Sequence, residues 1–225
     1  MIRFGAQFRV ANIDLTEVLI LLVVLISSLT VHEAAHAFAA DRLGDSTARQ
    51  LGRLSLNPAV HIDPIGTLLF PAIAIFTGVP LIGWAKPVPV NTRFLRHPKR
   101  DFALIAAAGP ASNLVMAAIA AGALSIARNA AGPGDLVGGE ITGPLLPLFY
   151  AFAIVNVLLA VFNMIPVPPL DGGNVLIGLL PESSSRMIEQ LRPYGILILY
   201  ALMLTGALNT ILGPLVGYFR YLLGV

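Results

Sequence analysis

Long apolar runs constrain this chain more than any other feature. Three of them cover residues 18–40, 102–127 and 145–165. A helix of about 20 predominantly apolar residues crosses the hydrocarbon core of a bilayer. Charged residues make up 12% of the 225 residues, whereas soluble domains carry about 25%. The runs and the low charge together predict an integral membrane protein.

Composition also narrows the fold and the function. With 56% hydrophobic residues the chain is too apolar for a disordered protein, and it has no cysteine for disulfides or thiol ligands. Its basic residues lie near the ends of apolar runs, so we expect no nucleic-acid partner. We predict an all-α polytopic helical bundle of about four to six transmembrane segments, folded as a single domain over residues 1–225.

The region 51–91 is expected to behave differently from the spans. It contains an apolar stretch, 64–83, that several prolines and glycines interrupt. Eight of the 14 Lys and Arg residues lie between 41 and 101, on both sides of this stretch. By the positive-inside rule both flanks are cytoplasmic. The stretch should therefore enter and leave on one side, which favours a re-entrant or β-hairpin segment over a kinked span.

The C-terminal region 195–225 is apolar and interrupted at Gly213 and Pro214. This pattern fits either one long span or two short helices. An amphipathic segment that bears Glu182 and Arg186 precedes it.

His32, Glu33 and His36 form an H-E-x-x-H string inside the first apolar run. The i, i+4 spacing places both imidazoles on one helical face, where they can bind one metal ion. Imidazole suits zinc, and Glu33 can reach a bound water as a general base. The alternative is that these side chains simply face a polar cavity. Since ionisable groups are costly in a bilayer and are functional by default, we favour the metal site.

Asp171 is the candidate third ligand. It lies near the end of the segment 145–173, in which a helix is followed by a proline-rich elbow. Two glycines follow the aspartate. Prolines stop the helix and glycines let the backbone approach closely, so the elbow can hold one carboxylate at a fixed depth. The alternative is that Asp171 caps a helix that begins near Gly173. The residues alone leave both interpretations open.

Three motifs occur in an order that resembles a known family. HEAAH, AAAGPASN and FNMIPVPPLDGG resemble the site-2 proteases, intramembrane zinc metalloproteases of peptidase family M50. The strings NPAVHIDPIGT and GWAKPVPVN look like a minimal prokaryotic branch without PDZ or CBS domains. The resemblance implies one zinc ion per chain, with His32, His36 and Asp171 as its ligands and Glu33 as the catalytic acid and base.

Four other polar residues are candidates for supporting roles. The resemblance implies that Asn113 and Asn163 lie near the zinc or the bound peptide. Asn156 could bond across helices or contact substrate, which we hold as a weaker candidate. His61 could approach the metal or substrate, although a solvated or backbone-bonded loop histidine is the simpler interpretation.

The function that the resemblance implies is zinc-dependent hydrolysis of peptide bonds in or near transmembrane segments of other proteins. The enzyme would lie in the inner (cytoplasmic) membrane, in contact with the lipid bilayer, with its active site toward the cytoplasm. An extended substrate could add to a strand edge at 84–91. The alternative is a metal ion or proton transporter that uses the same buried His and Asp. The chain has no matching second half, which counts against transport.

Overall fold

The computed structural model describes residues 15–77, 83–130 and 142–223, and these residues form helices and connections without a β-strand. The α-helices are α1 (Leu15–Arg42), α2 (Thr47–Gln50), α3 (Phe70–Thr77), α4 (Pro98–Ala130), α5 (Thr142–Asn163), α6 (Asp171–Leu179), α7 (Glu182–Glu189), α8 (Gly195–Leu204) and α9 (Ala207–Leu222). Short 3-10 turns at Pro58–Val60, Thr92–Phe94 and Arg192–Tyr194 and a π-helical turn at Pro64–Leu69 connect them.

Four helical stretches in the described ranges are long and apolar enough to cross a membrane. They are Val18–Arg42, Pro98–Asn129, Leu145–Asn163 and Glu182–Leu204. The last of them joins α7 and α8 through a 3-10 turn. A helix that is apolar on all sides is typical of a membrane span. The prediction of a helical, multi-pass membrane protein is confirmed.

Helix α4 lies at the centre of the bundle. It packs against α1, α5 and α6, and α1 also contacts α5. Many of the side chains at these contacts are small, because small residues let helices approach closely in lipid. The buried alanines of α1, α4 and α5 are Ala37, Ala40, Ala103, Ala106, Ala117, Ala120, Ala153 and Ala160. This close packing brings α1 and α6 to adjacent faces of α4.

In the described part of 51–91 a π-helical turn, the helix α3 and an extended segment stand where a re-entrant or β-hairpin segment was expected. Asp63 accepts hydrogen bonds from the N–H groups of Ile65 and Gly66, and the capped π-helical turn leads into α3. Beyond residues 78–82, which lie outside the described ranges, Trp84 N–H donates to Gly66 O at 3.2 Å. The chain therefore returns to where it left, but no β-hairpin is found in 64–77 or 83–91. Pro58 and Pro64 stand in first helical turns, where a missing N–H costs little.

The C-terminal region consists of two helices, and the expected interruption at Gly213 and Pro214 is wrong. Helix α9 runs through both residues, and the break lies at Gly206. Gly206 has a φ of 77°, a left-handed conformation that commonly ends a helix and that glycine adopts easily. A proline inside a membrane helix is tolerated when neighbouring groups satisfy the freed carbonyl.

Candidate metal centre

Two helices bring three ligand-type side chains together. His32 and His36 lie one turn apart on α1, and Asp171 is the first residue of α6. Asp171 Oδ2 lies 3.1 Å from His32 Nε2 and 3.3 Å from His36 Nε2. The two Nε2 atoms are 3.0 Å apart. Because both imidazoles are buried, these three side chains form a compact polar centre in an otherwise apolar part of the bundle.

The outer nitrogen of each imidazole is held by a hydrogen-bond acceptor. His36 Nδ1 lies 2.7 Å from the carbonyl oxygen of Ile105, and His32 Nδ1 lies 2.5 Å from Asn113 Oδ1. A carbonyl oxygen only accepts, so each Nδ1 carries the proton. In a neutral imidazole the other nitrogen is then a lone-pair donor. Both Nε2 atoms therefore present lone pairs to the centre, as in metal-binding histidines.

The residues present fit a zinc ion. Asp171 Oδ2 is buried and receives no hydrogen bond from the residues that the structure describes. The two Nε2 atoms and this oxygen all bring electron pairs, and they lie within 4.8 Å of one another. Two imidazoles and a carboxylate are ligands that zinc takes in catalytic sites, where a fourth position is kept open for water. A cation between them would remove the repulsion among the three groups.

The structure also bears on the capping alternative for Asp171. Helix α6 begins at Asp171 itself, its N-cap residue is Leu170, and no side chain caps this end. The Asp171 carboxylate points to the imidazoles instead. The Asp171 carboxylate is therefore directed toward the imidazoles and does not cap α6.

Two glycines let α6 start close to the elbow that precedes it. A Cβ atom on Gly172 would lie 2.6 Å from the carbonyl oxygen of Ile165, and one on Gly173 would lie 2.6 Å from the nitrogen of Pro168. Real Cβ atoms do not approach other atoms so closely. Since only glycine fits at these two positions, they fix where Asp171 stands relative to the elbow.

Gly109 of α4 lies directly against the two imidazoles. A Cβ atom there would be 2.6 Å from His32 Nε2. The neighbours that Gly109 accommodates are thus the candidate ligands. The glycine followed by Pro110 inside a long apolar helix is the signal that marks this position.

Glu33 stands beside the centre and is 9% exposed. Its Oε2 accepts a hydrogen bond of 3.1 Å from the backbone N–H of Val88, in the extended segment 84–91. Asp45, which is fully buried, accepts from the N–H of Asn91 at 2.6 Å near the end of the same segment. Glu33 is therefore held between the centre and the extended segment.

Arg53 holds the middle of that segment. Its Nη2 donates to the carbonyl oxygen of Lys86 at 2.5 Å and to that of Pro87 at 3.2 Å, and the residue is 6% exposed. Lys86 N–H in turn donates to the carbonyl oxygen of His61 at 2.9 Å. A buried guanidinium that bonds only backbone carbonyls acts as a clamp on the chain it contacts.

Comparison with known proteins identifies the family. The sequence profile of peptidase family M50 matches residues 20–206, a range that contains the three ligand-type side chains and Glu33. The chain belongs to peptidase family M50. The resemblance to site-2 proteases that the three motifs indicated is thereby confirmed.

This M50 protein is similar to bacterial proteins provisionally named as zinc metalloproteases. It is 38% identical to YwhC of Bacillus subtilis over 196 residues, which cover 87% of this chain and 84% of the relative. It is 33% identical to Rip2 of Mycolicibacterium smegmatis over 199 residues, or 88% and 71% of the two chains. Rip2 of Mycobacterium tuberculosis is 29% identical over 187 residues, or 81% and 65%. No solved structure matches the chain significantly.

The four supporting candidates of this M50 chain occupy different places. Asn113 contacts His32, and Asn156 lies behind Asn113 with its Oδ1 2.7 Å from Asn113 Nδ2. Asn163 donates to the carbonyl oxygen of Leu159 within its own helix. His61 is 2% exposed and its Nε2 lies 2.8 Å from the carbonyl oxygen of Ser55, as expected for a backbone-bonded loop histidine.

Several functional contacts of the M50 chain were not predicted. The Ile105 carbonyl and the Val88 N–H are backbone groups, and such groups have no side-chain signature in a sequence. Arg53 was assigned only to a basic loop, and nothing in its neighbours indicates burial. Ser28, which bonds Asn156, could have been noticed as a polar residue one helical turn before His32 in an apolar run.

Proposed function

We propose that this M50 enzyme is an intramembrane zinc endopeptidase that cleaves peptide bonds in or near transmembrane segments of substrate proteins. Residues 1–225 act in it as a single membrane-embedded metalloprotease domain. The observation that carries the proposal is the geometry of three side chains. The Nε2 atoms of His32 and His36 and the Oδ2 of Asp171 converge, with lone pairs facing inward, inside apolar helices and next to Glu33.

The chain's own residues divide the chemistry between them. Zinc, when bound by His32, His36 and Asp171, supplies Lewis-acid activation of a water and of the scissile carbonyl. Glu33 takes a proton from the attacking water and delivers it to the leaving amine nitrogen. The Val88 N–H holds Oε2 of Glu33, which leaves Oε1 to carry that proton.

The extended segment 84–91 offers a docking edge for substrate. A transmembrane helix hides its peptide bonds in intrahelical hydrogen bonds, so the target must unwind before it is cut. The N–H groups of Trp84, Lys86 and Val88 bond the protein's own groups. An unwound substrate strand would pair along the opposite edge of this segment. Prolines at 87 and 89 limit the donors on that edge, as is usual at a sheet edge.

The proposed location is the inner membrane, with the site open to the cytoplasm. The described helical stretch from Pro64 to Thr77 joins a 6-residue π-helical turn to the 8 residues of α3, about 21 Å at 1.5 Å per residue, less than the hydrocarbon core of a bilayer. The returning chain bonds where it departed, at Gly66 and His61, which supports the proposal that both basic flanks lie on one side. This agrees with the positive-inside rule. The reported relatives have protease names, so the comparisons give no support to a transporter.

The test uses the full chain purified in detergent. Wild type and Glu33→Gln are analysed for zinc by elemental analysis and incubated with a panel of purified single-span membrane proteins. Products are identified by mass spectrometry, with and without a zinc chelator. We expect one zinc per chain in both proteins and cleavage by the wild type alone, because Glu33 moves protons but does not hold the metal.

Two results would contradict the proposal. Equal cleavage by wild type and Glu33→Gln would remove Glu33 from the chemistry. Products that persist in chelator, with activity that zinc does not restore, would remove the metal. Zinc flux into liposomes without peptide cleavage would instead support the alternative function of a metal ion transporter.

A further inference from the structure

A line of four buried side chains starts and ends on α1. Ser28 Oγ lies 2.9 Å from Asn156 Nδ2 on α5, and Asn156 Oδ1 lies 2.7 Å from Asn113 Nδ2 on α4. Asn113 Oδ1 lies 2.5 Å from His32 Nδ1. Ser28, Asn156 and Asn113 are 0% exposed and His32 is 4% exposed. The line therefore runs through three helices without contact with solvent.

The direction of every hydrogen bond in this line is fixed at one end. Asn156 Nδ2 also lies 2.9 Å from the carbonyl oxygen of Phe152, which can only accept. The Asn156 amide therefore turns its nitrogen to Phe152 and its oxygen to Asn113. Asn113 must then donate to Asn156 and accept from His32. It follows that His32 carries its proton on Nδ1 and keeps a lone pair on Nε2.

We propose that Asn156, acting through Asn113, is a positioning residue that holds His32 in its metal-binding tautomer and orientation. The proposal rests on the metal site of the proposed function. Asn156 itself does not touch the three ligand atoms. Without it, the Asn113 amide could rotate and present its NH₂ to His32 Nδ1, which would shift the imidazole proton to Nε2 and remove the lone pair from the centre.

The two histidines are held by different devices. His36 donates to the backbone carbonyl of Ile105, which cannot rotate and depends on no side chain. His32 depends on an amide that two neighbours must orient. The pair Asn156 and Asn113, here called the relay, therefore orients one of the two imidazoles. Its loss should weaken metal binding without abolishing it.

A purely structural role would also explain buried asparagines between membrane helices, since interhelical hydrogen bonds stabilise such bundles. The two roles differ in what they change. A structural contact alters thermal stability, while a positioning contact alters zinc affinity in the folded protein. A carboxylate at position 113 separates them further, because both of its oxygens accept and His32 then needs no orientation by Asn156. The Asn156 amide must turn its NH₂ toward that carboxylate, and the Tm of the metal-free variant reports this structural cost.

The experiment compares zinc affinity in the full chain in detergent. Asn156→Leu, Asn113→Asp and the double variant are titrated with zinc against a chromophoric chelator, and cobalt-loaded protein is examined by visible absorption. The Tm of each metal-free protein is recorded. Thr30→Val is the matched control, because Thr30 is buried on α1 and bonds only the carbonyl of Ile26 in its own helix. If Asn156→Leu fails to fold, Asn156→Ser replaces it.

We expect Asn156→Leu to weaken zinc binding by about 10–100-fold, the usual effect of removing an outer partner of a metal ligand. Asn113→Asp should bind zinc within a few-fold of wild type, and adding Asn156→Leu to it should cost little more. Thr30→Val should bind as wild type does. The cobalt spectrum should change in Asn156→Leu and return in the double variant.

The outcomes separate this proposal from the proposed function. Wild-type zinc affinity in Asn156→Leu, or an equal loss in the Asn113→Asp background, would overturn the relay and leave the protease standing. Absence of zinc binding by the wild type would overturn both.

Discussion

The glycines around the metal centre and the glycines of α9 have opposite surroundings. Gly109 and Gly195 are buried, and a Cβ atom on either would collide with His32 or with Pro168. At Gly213 and Gly217 of α9, a Cβ atom would meet nothing within 4 Å among the described residues. Glycine thus lets neighbouring groups pack closely around the metal centre. In α9 the described residues leave the glycine positions open.

This difference shows where the fold is tightly constrained. The crowded side holds α1, α4, α6 and the elbow, which together carry the candidate ligands. The open side exposes large apolar and aromatic side chains of α9, such as Leu215, Tyr218 and Tyr221. In a membrane protein such side chains face lipid, which adapts to their shape. Sensitivity to substitution should therefore fall from the crowded side to the open side.

The largest contrast is expected between Gly109→Ala and Gly122→Ala on the same helix. The new methyl at 109 would displace the His32 imidazole, while the one at 122 has nothing within 4 Å. We expect Gly109→Ala to lose zinc and cleavage activity by at least about tenfold, and Gly122→Ala to keep both. Zinc titration and cleavage assays measure the effect. Equal zinc affinity in the two variants would show that α4 can move away from α1.

A large effect on stability is expected at Gly195, where α8 begins. Its Cβ position lies 2.6 Å from the carbonyl carbon of Pro168 in the elbow. Overpacking of this kind costs about 1–3 kcal/mol, so Gly195→Ala should lower the Tm by several degrees and reduce zinc content. Thermal unfolding followed by intrinsic fluorescence tests this. An unchanged Tm would mean that α8 is not anchored on the elbow.

The comparison extends to two arginines of the basic loop. Arg53 is buried against the carbonyls of Lys86 and Pro87, whereas Arg49 has an exposed side chain that pairs with Asp41. Arg53→Met removes both hydrogen bonds to these carbonyls, each worth about 0.5–1.5 kcal/mol, and should slow cleavage while zinc content stays constant. Arg49→Met should change neither the stability nor the cleavage rate markedly, since exposed ion pairs contribute about 0–1 kcal/mol. Equal cleavage rates would show that the extended segment needs no clamp.

The smallest effect is expected at Gly217. Replacing a helical glycine by alanine stabilises a helix by about 0.5–1 kcal/mol when space is available. Gly217→Ala should therefore raise the Tm slightly or leave it unchanged, with full activity. A marked fall in Tm would show that this face of α9 is occupied in the folded protein, and would weaken the contrast between the two sides.

The spans and the shared helical face of His32 and His36 could be predicted from the sequence, because both depend on local pattern. Apolar length identifies α1, α4 and α5, and the i, i+4 spacing identifies His32 and His36. The role of Asp171 could not be decided from local pattern, since its proline and glycine neighbours suit a ligand and a cap equally. Its carboxylate is directed by α6 packing on α4, which no local pattern contains.

The errors have a common physical cause. Proline and glycine in 64–83 indicated an interrupted segment but not its form, and a capped π-helical turn with a short helix satisfies the same residues as a hairpin. The break near the C-terminus lies at Gly206 because that residue takes a positive φ, while Pro214 stays inside α9. Tertiary packing decides which glycine adopts a positive φ and ends a helix.

The three candidate ligands come from parts of the chain that are far apart in sequence. His32 and His36 belong to one helix, and Asp171 follows long after them in the chain. An ion shared by the three therefore ties the stretch between residues 36 and 171 into a closed loop, as a crosslink does. Closing a long loop restricts the unfolded chain more than closing a short one. Zinc should thus act as a staple, so that chelation lowers the Tm reversibly even in Glu33→Gln, where no peptide is ever cut.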